Sequence, residues 1–156
     1  MIVLAQEYVA FDSAVQLLES IITAIQHMHQ RKRLHGDIKP LNLVRMPDGT
    51  WRVIDLDAVV CFLETVGAKD LSTAYAPPEA TLIKTEEKRV VFRVPRQVDD
   101  KDVLLAHPTF DIWSLGVIMF MALSRRSLFE SDNRDRLRDN AEALKLALWG
   151  ATSLGD

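Results

Sequence analysis

Asp37, Lys39 and Asn42 stand at offsets 0, +2 and +5 within His35-Gly36-Asp37-Ile38-Lys39-Pro40-Leu41-Asn42. A carboxylate, an amine and a carboxamide at this spacing are the groups that phosphoryl transfer uses. The carboxylate orients a hydroxyl and accepts its proton, the cation sits by the transferring group, and the amide oxygen helps to ligate Mg²⁺. Asp55 follows within one hairpin's length of chain and offers a second oxygen ligand. The short excursion from Asp37 to Asn42 lets a loop turn both side chains toward one cleft. Taken singly these signals are weak: Asp-x-Lys-Pro reads as a turn with a solvated lysine, and Asp55 as a cap at a strand end.

Such groups need a frame. Residues 13–30 place Val15, Leu18, Ile21, Ile22, Ile25 and Met28 at three- and four-residue intervals, which predicts an amphipathic helix facing a core, capped by Asp12 or Ser13. The segment 34–43 follows as a loop, because Pro40 forbids a helix interior. Leu43-Val44-Arg45 and Trp51-Arg52-Val53-Ile54 flank the turn signal Asp48-Gly49. They predict a hairpin that carries the chain from the loop into Asp55. Residues 62–79 read as loop, with Gly67, Ser72, Thr73, Pro77 and Pro78, and 111–123 as a strongly apolar core helix. Between them 80–110 is rich in charge, with Arg89 to Val94 as a strand to which no role attaches. Further on, Ser131-Asp132-Asn133 would cap a helix bearing Leu137, Ala141, Leu144 and Leu148.

The 35–42 stretch resembles the catalytic loop of eukaryotic protein kinases. Asp55-Leu56-Asp57 resembles that family's magnesium-binding Asp-Phe-Gly element. Tyr75-Ala76-Pro77-Pro78-Glu79 resembles the Ala-Pro-Glu that closes the activation segment, and Asp111-Ile112-Trp113-Ser114-Leu115-Gly116 the start of its large buried helix. The resemblance implies an α+β, protein-kinase-like fold: a mainly helical C-terminal lobe with a short β-hairpin at the catalytic loop, and an N-terminal lobe largely absent. Residues 1–10 would be the hinge or, through Ile2-Val3-Leu4, the last small-lobe strand. Residues 11–156 would be the large lobe, with an insertion at about 80–110 and truncated final helices.

By the same resemblance Asp37 is the catalytic base and Lys39 contacts the transferred phosphoryl group. Asn42 and Asp55 ligate magnesium, and Val44 is an apolar floor for adenine. His35 is structural, stacked beneath Leu56; Ser72 stands where a Thr contacting the Asp and Lys is usual; Glu79 pairs with a distant Arg, for which no match is evident. Asp111 accepts hydrogen bonds from backbone amides of the loop. Asp57 replaces a Gly, a departure allowed because Asp tolerates positive φ. Gly36 replaces the Arg that commonly pairs with an activation-loop phosphate, so activity is expected not to depend on phosphorylation at Ser72 or Thr73.

ATP and Mg²⁺ are the implied cofactors, and a protein with a Ser/Thr acceptor the implied partner, since Lys39 follows Asp37 by two as in Ser/Thr-directed kinases. Gly36 is the first glycine, so these residues contain no glycine-rich phosphate loop. They also lack a strand lysine for the ATP phosphates and the chain is expected to be inactive, or weakly active, by itself. Two other readings stay open. The His35-to-Asn42 and Ile54-to-Asp57 elements also resemble small-molecule phosphotransferases of the aminoglycoside or choline kinase type, against which the Glu79 and Asp111 motifs argue. A non-catalytic, pseudokinase-like interaction module is the third.

With 156 residues, 48% hydrophobic and 26% charged, the chain suits one globular domain. A net charge of −3 gives no reason to expect nucleic acid or an acidic membrane, and Arg31-Lys32-Arg33 and Arg125-Arg126 read as solvated helix ends. The single Cys61 excludes an internal disulfide and a four-cysteine metal site, and suits a small buried position. Leu115 to Leu123 is about half the span a membrane helix needs, and the N-terminus lacks the basic and long apolar regions of a signal peptide. A cytoplasmic location, or a nuclear one, is the expectation. Absent final helices would bare apolar surface and favour self-association.

Overall fold

A computed structural model describes residues 2–3, 11–67, 70–93 and 99–149. Leu4, Val94 and the expected hinge at 5–10 lie outside the described residues. Strand β1 (Ile2–Val3) precedes helix α1 (Phe11–Gln30). Ala14, Leu17, Ile21 and Ile25 form the buried stripe of α1, whereas Val15 and Ile22 are exposed. Ile21 and Ile25 are buried as expected and Leu18 packs against them, but Val15 and Ile22 are corrected: they sit about 100° round the helix from Ala14 and Ile21, on its shoulder. The helix begins at Phe11, so Asp12 and Ser13 lie within its first turn and not ahead of it.

The chain leaves α1 through left-handed Lys32 and enters β2 (Arg33–Leu34), which pairs antiparallel with β5 (Val60–Cys61). Cys61 is half-buried there, less covered than expected. After the 35–39 loop, a single 3-10 turn (Pro40–Asn42) leads into β3 (Leu43–Arg45) and β4 (Trp51–Val53). Asp48 Oδ1 accepts from Thr50 N at 2.9 Å and from Thr50 Oγ1 at 2.7 Å, with Gly49 at φ 86, so the Asp-Gly signal makes the turn it predicts. The sheet order is β1-β3-β4, all antiparallel, with Val3 opposite Val44.

Strands β6 (Thr81–Lys84) and β7 (Arg89–Phe92) form a second hairpin within the charge-rich stretch, and helix α2 (Thr109–Ser124) follows it. Helix α3 (Asn140–Ala147) begins at Asp139, whose Oδ1 accepts from Ala141 N and Glu142 N, each at 3.0 Å. The cap expected at Ser131-Asp132-Asn133 does not form, because Asp132 Oδ1 is taken by a tight turn, accepting Arg134 N at 2.8 Å and Arg136 N at 3.0 Å. The β6–β7 hairpin packs on α3, and Asn140 Oδ1 accepts from Val90 N at 2.9 Å.

Two apolar clusters hold these elements together. One joins Leu17, Ile21 and Ile25 of α1 to Leu43 and Trp51 of the hairpin and to Leu115 and Ile118 of α2, and it includes Ile38. The other gathers Leu34, Ala76, Ala80, Leu104, Ala106 and Phe110. The 35–37 turn therefore runs between Leu34 and Ile38, each fixed in a different cluster. Helix α2 is core on one face only: Ile112 and Leu123 are 52% and 55% exposed, with Phe120 beside them. No helix among the described residues is long and apolar enough to cross a membrane.

Candidate active site

Asp111 sits in the first turn of α2 at 0% exposure. Its Oδ1 accepts from Gly36 N at 3.0 Å, and its Oδ2 from His35 N at 2.9 Å and His29 Nε2 at 2.8 Å. One buried carboxylate thereby satisfies two amides of the 35–42 loop and ties α1 to α2, which is how burying a charge becomes tolerable. Ser114, one turn on, donates from Oγ to Tyr75 O at 2.8 Å and so holds the 72–76 segment against the same helix.

On that footing the loop brings four of the expected residues together. Asn42 Nδ2 donates to Asp37 O at 2.8 Å and Asp37 Oδ2 at 3.1 Å. Lys39 Nζ donates to Ser72 Oγ at 2.8 Å and lies 3.4 Å from Asp37 Oδ2. Asp37, Asn42 and Ser72 are buried and Lys39 half-buried, so the pairing acts where water screens little. Asn42, turned by its Nδ2 bonds, leaves its side-chain oxygen as an acceptor.

Asp55 is brought beside this group through its neighbour. Ile54 N donates to Asn42 O at 2.9 Å, and His35 Nε2 donates to Ile54 O at 3.3 Å. Asp55 is left-handed at φ 64, and accepts from Asp57 N at 3.4 Å. The positive φ expected at Asp57 falls on Asp55 instead, because the clamp on Ile54 fixes the chain direction one residue earlier. Aspartate tolerates this conformation better than most residues other than glycine. Among the described residues no three His, Cys, Asp or Glu side chains gather for a metal. Asn42 and Asp55 are hard oxygen donors of the kind Mg²⁺ uses in pairs, with phosphate and water completing its shell.

Two expected placements are corrected. Leu56 is 61% exposed, so it does not form a buried column over His35, whose ring is engaged with Ile54 O. Val44 is 3% exposed between Val3 and Arg52 in the three-stranded sheet, and so presents no open floor to a nucleotide base. Glu79 stands exposed at the surface, accepting from Thr109 Oγ1 at 3.3 Å.

His35 Nδ1 accepts from Asp37 N at 3.3 Å while Nε2 donates to Ile54 O, which defines a neutral ring. Burial pushes the imidazole below its ordinary value, and Asp111, the Ile54 carbonyl, Asp37 and Asp55 pull less strongly the other way. A lowered folded pKa means that, as pH falls from the ordinary value of about 6.5 through the folded value, the unfolded chain takes up a proton that the folded one refuses. Stability is therefore expected to drop across that window, and His35→Asn to drop less. Urea unfolding at pH 7.5 and 5.5 checks this; equal drops would count against it.

Gly36 is held at φ 77, and a Cβ on it would lie 2.9 Å from Ala58 O, a backbone atom. This explains why no side chain stands before Asp37. Gly36→Ala is expected to lower stability by about 1–3 kcal/mol through the left-handed backbone and that contact. A thermal melt measures it, and an unchanged midpoint would show that the two loops are not in close approach.

Two residues of the site carried no sequence signal. His29 lies on α1, where it reads as a solvated polar position, yet it reaches Asp111 and stacks edge-on with Phe62 at 5.5 Å between centroids. Asp135 lies 3.3 Å from Lys39 Nζ, from a turn nearly a hundred residues downstream.

The chain's similarity to known proteins agrees with this geometry. Residues 2–151 match the family model described as protein kinase domain. A carbon catabolite-derepressing protein kinase of Secale cereale is 28% identical over 122 residues, covering 78% of this chain and 21% of that protein. A serine/threonine-protein kinase US3 homolog of Varicella-zoster virus (strain Dumas) is 31% identical over 130 residues, 83% of this chain and 29% of its own length. Serine/threonine-protein kinase H1 of Homo sapiens is 28% identical over 127 residues, 80% of this chain and 26% of its own. The chain thus spans less than a third of the length of each of these relatives.

Proposed function

The chain belongs to the protein kinase domain family, and from that premise we propose that residues 35–42 are the catalytic loop of a serine/threonine protein kinase. The observation that carries the reading is the joining of Asp37, Lys39, Asn42 and Ser72 by bonds of 2.8–3.4 Å on a loop anchored by Asp111. Asp37 accepts the proton of a Ser or Thr hydroxyl. Lys39, held over Ser72, faces the charge of the transferring group. The oxygens of Asn42 and Asp55 hold the metal side of the cleft. When bound, Mg²⁺-ATP supplies the phosphoryl group and the divalent charge that neutralises it.

In this reading residues 11–156 are the large lobe, Ile2–Val3 belongs to the hinge or the last small-lobe strand, and the β6–β7 hairpin lies in an insertion at about 80–110. The location is cytoplasmic or nuclear, and the outer face of α2, with Ile112, Phe120 and Leu123, is where copies would associate. Family membership favours a protein substrate over the aminoglycoside or choline type, and the names of the relatives favour Ser/Thr. The test is to express the 156-residue chain and the longest natural product that carries it, and to assay both for Mg²⁺-dependent ATP binding and for transfer to a Ser/Thr peptide. Transfer by the longer product and weak nucleotide binding by the short chain are expected. Transfer to amino sugars or choline in place of peptide would overturn the reading, as would inability of the longer product to bind Mg²⁺-ATP.

A further inference from the structure

Lys39 meets a second acid. Besides Ser72 Oγ and Asp37, its Nζ lies 3.3 Å from Asp135 Oδ2. Side-chain exposures of 13% for Lys39 and 16% for Asp135 withdraw the pair from solvent. Asp135 Oδ2 is itself buried, and no donor among the described residues makes a hydrogen bond to it. Among the described residues the cation paired with it is Lys39. A buried carboxylate is strongly unfavourable without a cation beside it, so the pair binds the two segments to one another.

The turn that bears Asp135 is built to hold it there. Asp132 Oδ1 gathers Arg134 N and Arg136 N, Asp132 N donates to Arg136 O at 2.8 Å, and Asp135 N donates to Asp132 O at 3.2 Å. Asp135 is left-handed at φ 59, backbone strain of the kind found where a side chain must be aimed. The same turn grips the 70–76 segment: Ala74 N donates to Asp135 O at 3.1 Å, Leu137 N to Thr73 Oγ1 at 2.8 Å, and Arg136 Nη2 to Asp70 Oδ2 at 3.0 Å.

We propose that Asp135 is a positioning residue of the phosphoryl-transfer centre, acting through Lys39. Its role rests on the kinase reading above. Placed between two carboxylates, the ammonium is drawn away from full pairing with Asp37, which leaves Asp37 able to accept the hydroxyl proton and keeps Lys39 fixed over Ser72. Asp135 itself makes and breaks no bond in the transfer.

The test has two arms. In the longest natural product, Asp135→Asn should lower kcat for peptide phosphorylation roughly ten- to hundredfold, the scale of a misplaced catalytic group. KM for ATP should stay within about twofold. Asp135→Glu should recover part of the loss, and adding Asp135→Asn to Lys39→Ala should cost nothing further, as for a residue that works only through the lysine. Additive losses in the double variant, or a faster Asp135→Asn, would overturn the proposal. The second arm needs no turnover: acylation of Lys39 by an amine-reactive ester, read by peptide mass spectrometry, should rise in Asp135→Asn relative to the chain's other lysines. Transfer by the wild type with Lys39 labelling indifferent to Asp135 would refute the role of Asp135 alone. Labelling that depends on Asp135 with no transfer by the wild type would refute the kinase reading, and the positioning role with it.

Discussion

Asp37→Asn is expected to slow phosphoryl transfer by at least about 10²-fold, the scale of losing a general base that also orients the hydroxyl. The substitution keeps the side chain's shape. Asn42 Nδ2 still donates to the backbone oxygen of residue 37, and Lys39 keeps Ser72 and Asp135 as partners. The variant should therefore fold, with little change in its affinity for Mg²⁺-ATP, because the proposed metal ligands are Asn42 and Asp55. Steady-state kinetics on the longest natural product checks it. A loss of only a few-fold would show that the proton leaves by another route.

Asp111→Ala carries the largest expected effect on stability. It strands two loop amides and the His29 ring around a position that is fully buried, at about 1–3 kcal/mol for each unsatisfied donor. Because the three donors share one carboxylate their losses do not simply add, and about 3–5 kcal/mol is expected for the whole, the cost of breaking a buried charged network and a large part of an ordinary domain's stability. For a chain of this size each kcal/mol moves the melting midpoint by about 2–4 °C, so a fall of about 6–20 °C is expected, or outright failure to fold. Asp111→Asn should do little better, since its amide nitrogen would face at least one donor. A midpoint within a degree or two of wild type would mean that the loop is held by Leu34 and Ile38 alone.

The parts of the site that are local in sequence were legible as such. Asp48-Gly49 specified the β3–β4 turn, Pro40 kept 35–42 out of a helix, and the apolar run from Leu115 marked α2. Elements whose burial depends on distant partners were not. On α1 the periodicity places Ile21 and Ile25 in the core, but it cannot separate Val15 and Ile22 from Ala14 and Leu17, because only the packing of α2 and β4 decides between neighbouring stripes. Strand β6 was invisible because its pattern is inverted, with Thr81 buried and Ile83 exposed. Asp55, left-handed in place of Asp57, reflects a clamp on Ile54 that no local propensity encodes. Asp135 and His29 reach the site only through tertiary placement: one from a turn fastened to the 70–76 segment, the other from the end of a helix.

The proposal that Asp37 serves phosphoryl transfer to Ser and Thr is tested most directly by phospho-amino-acid analysis. The longest natural product is incubated with γ-labelled ATP, Mg²⁺ and a generic protein acceptor, beside its Asp37→Asn variant. The expected result is phosphoserine and phosphothreonine in the wild-type reaction, greatly reduced in the variant. Equal labelling by the two proteins, or label on small alcohols and amines but not on protein, would contradict the assignment of Asp37 as the base of a serine/threonine protein kinase.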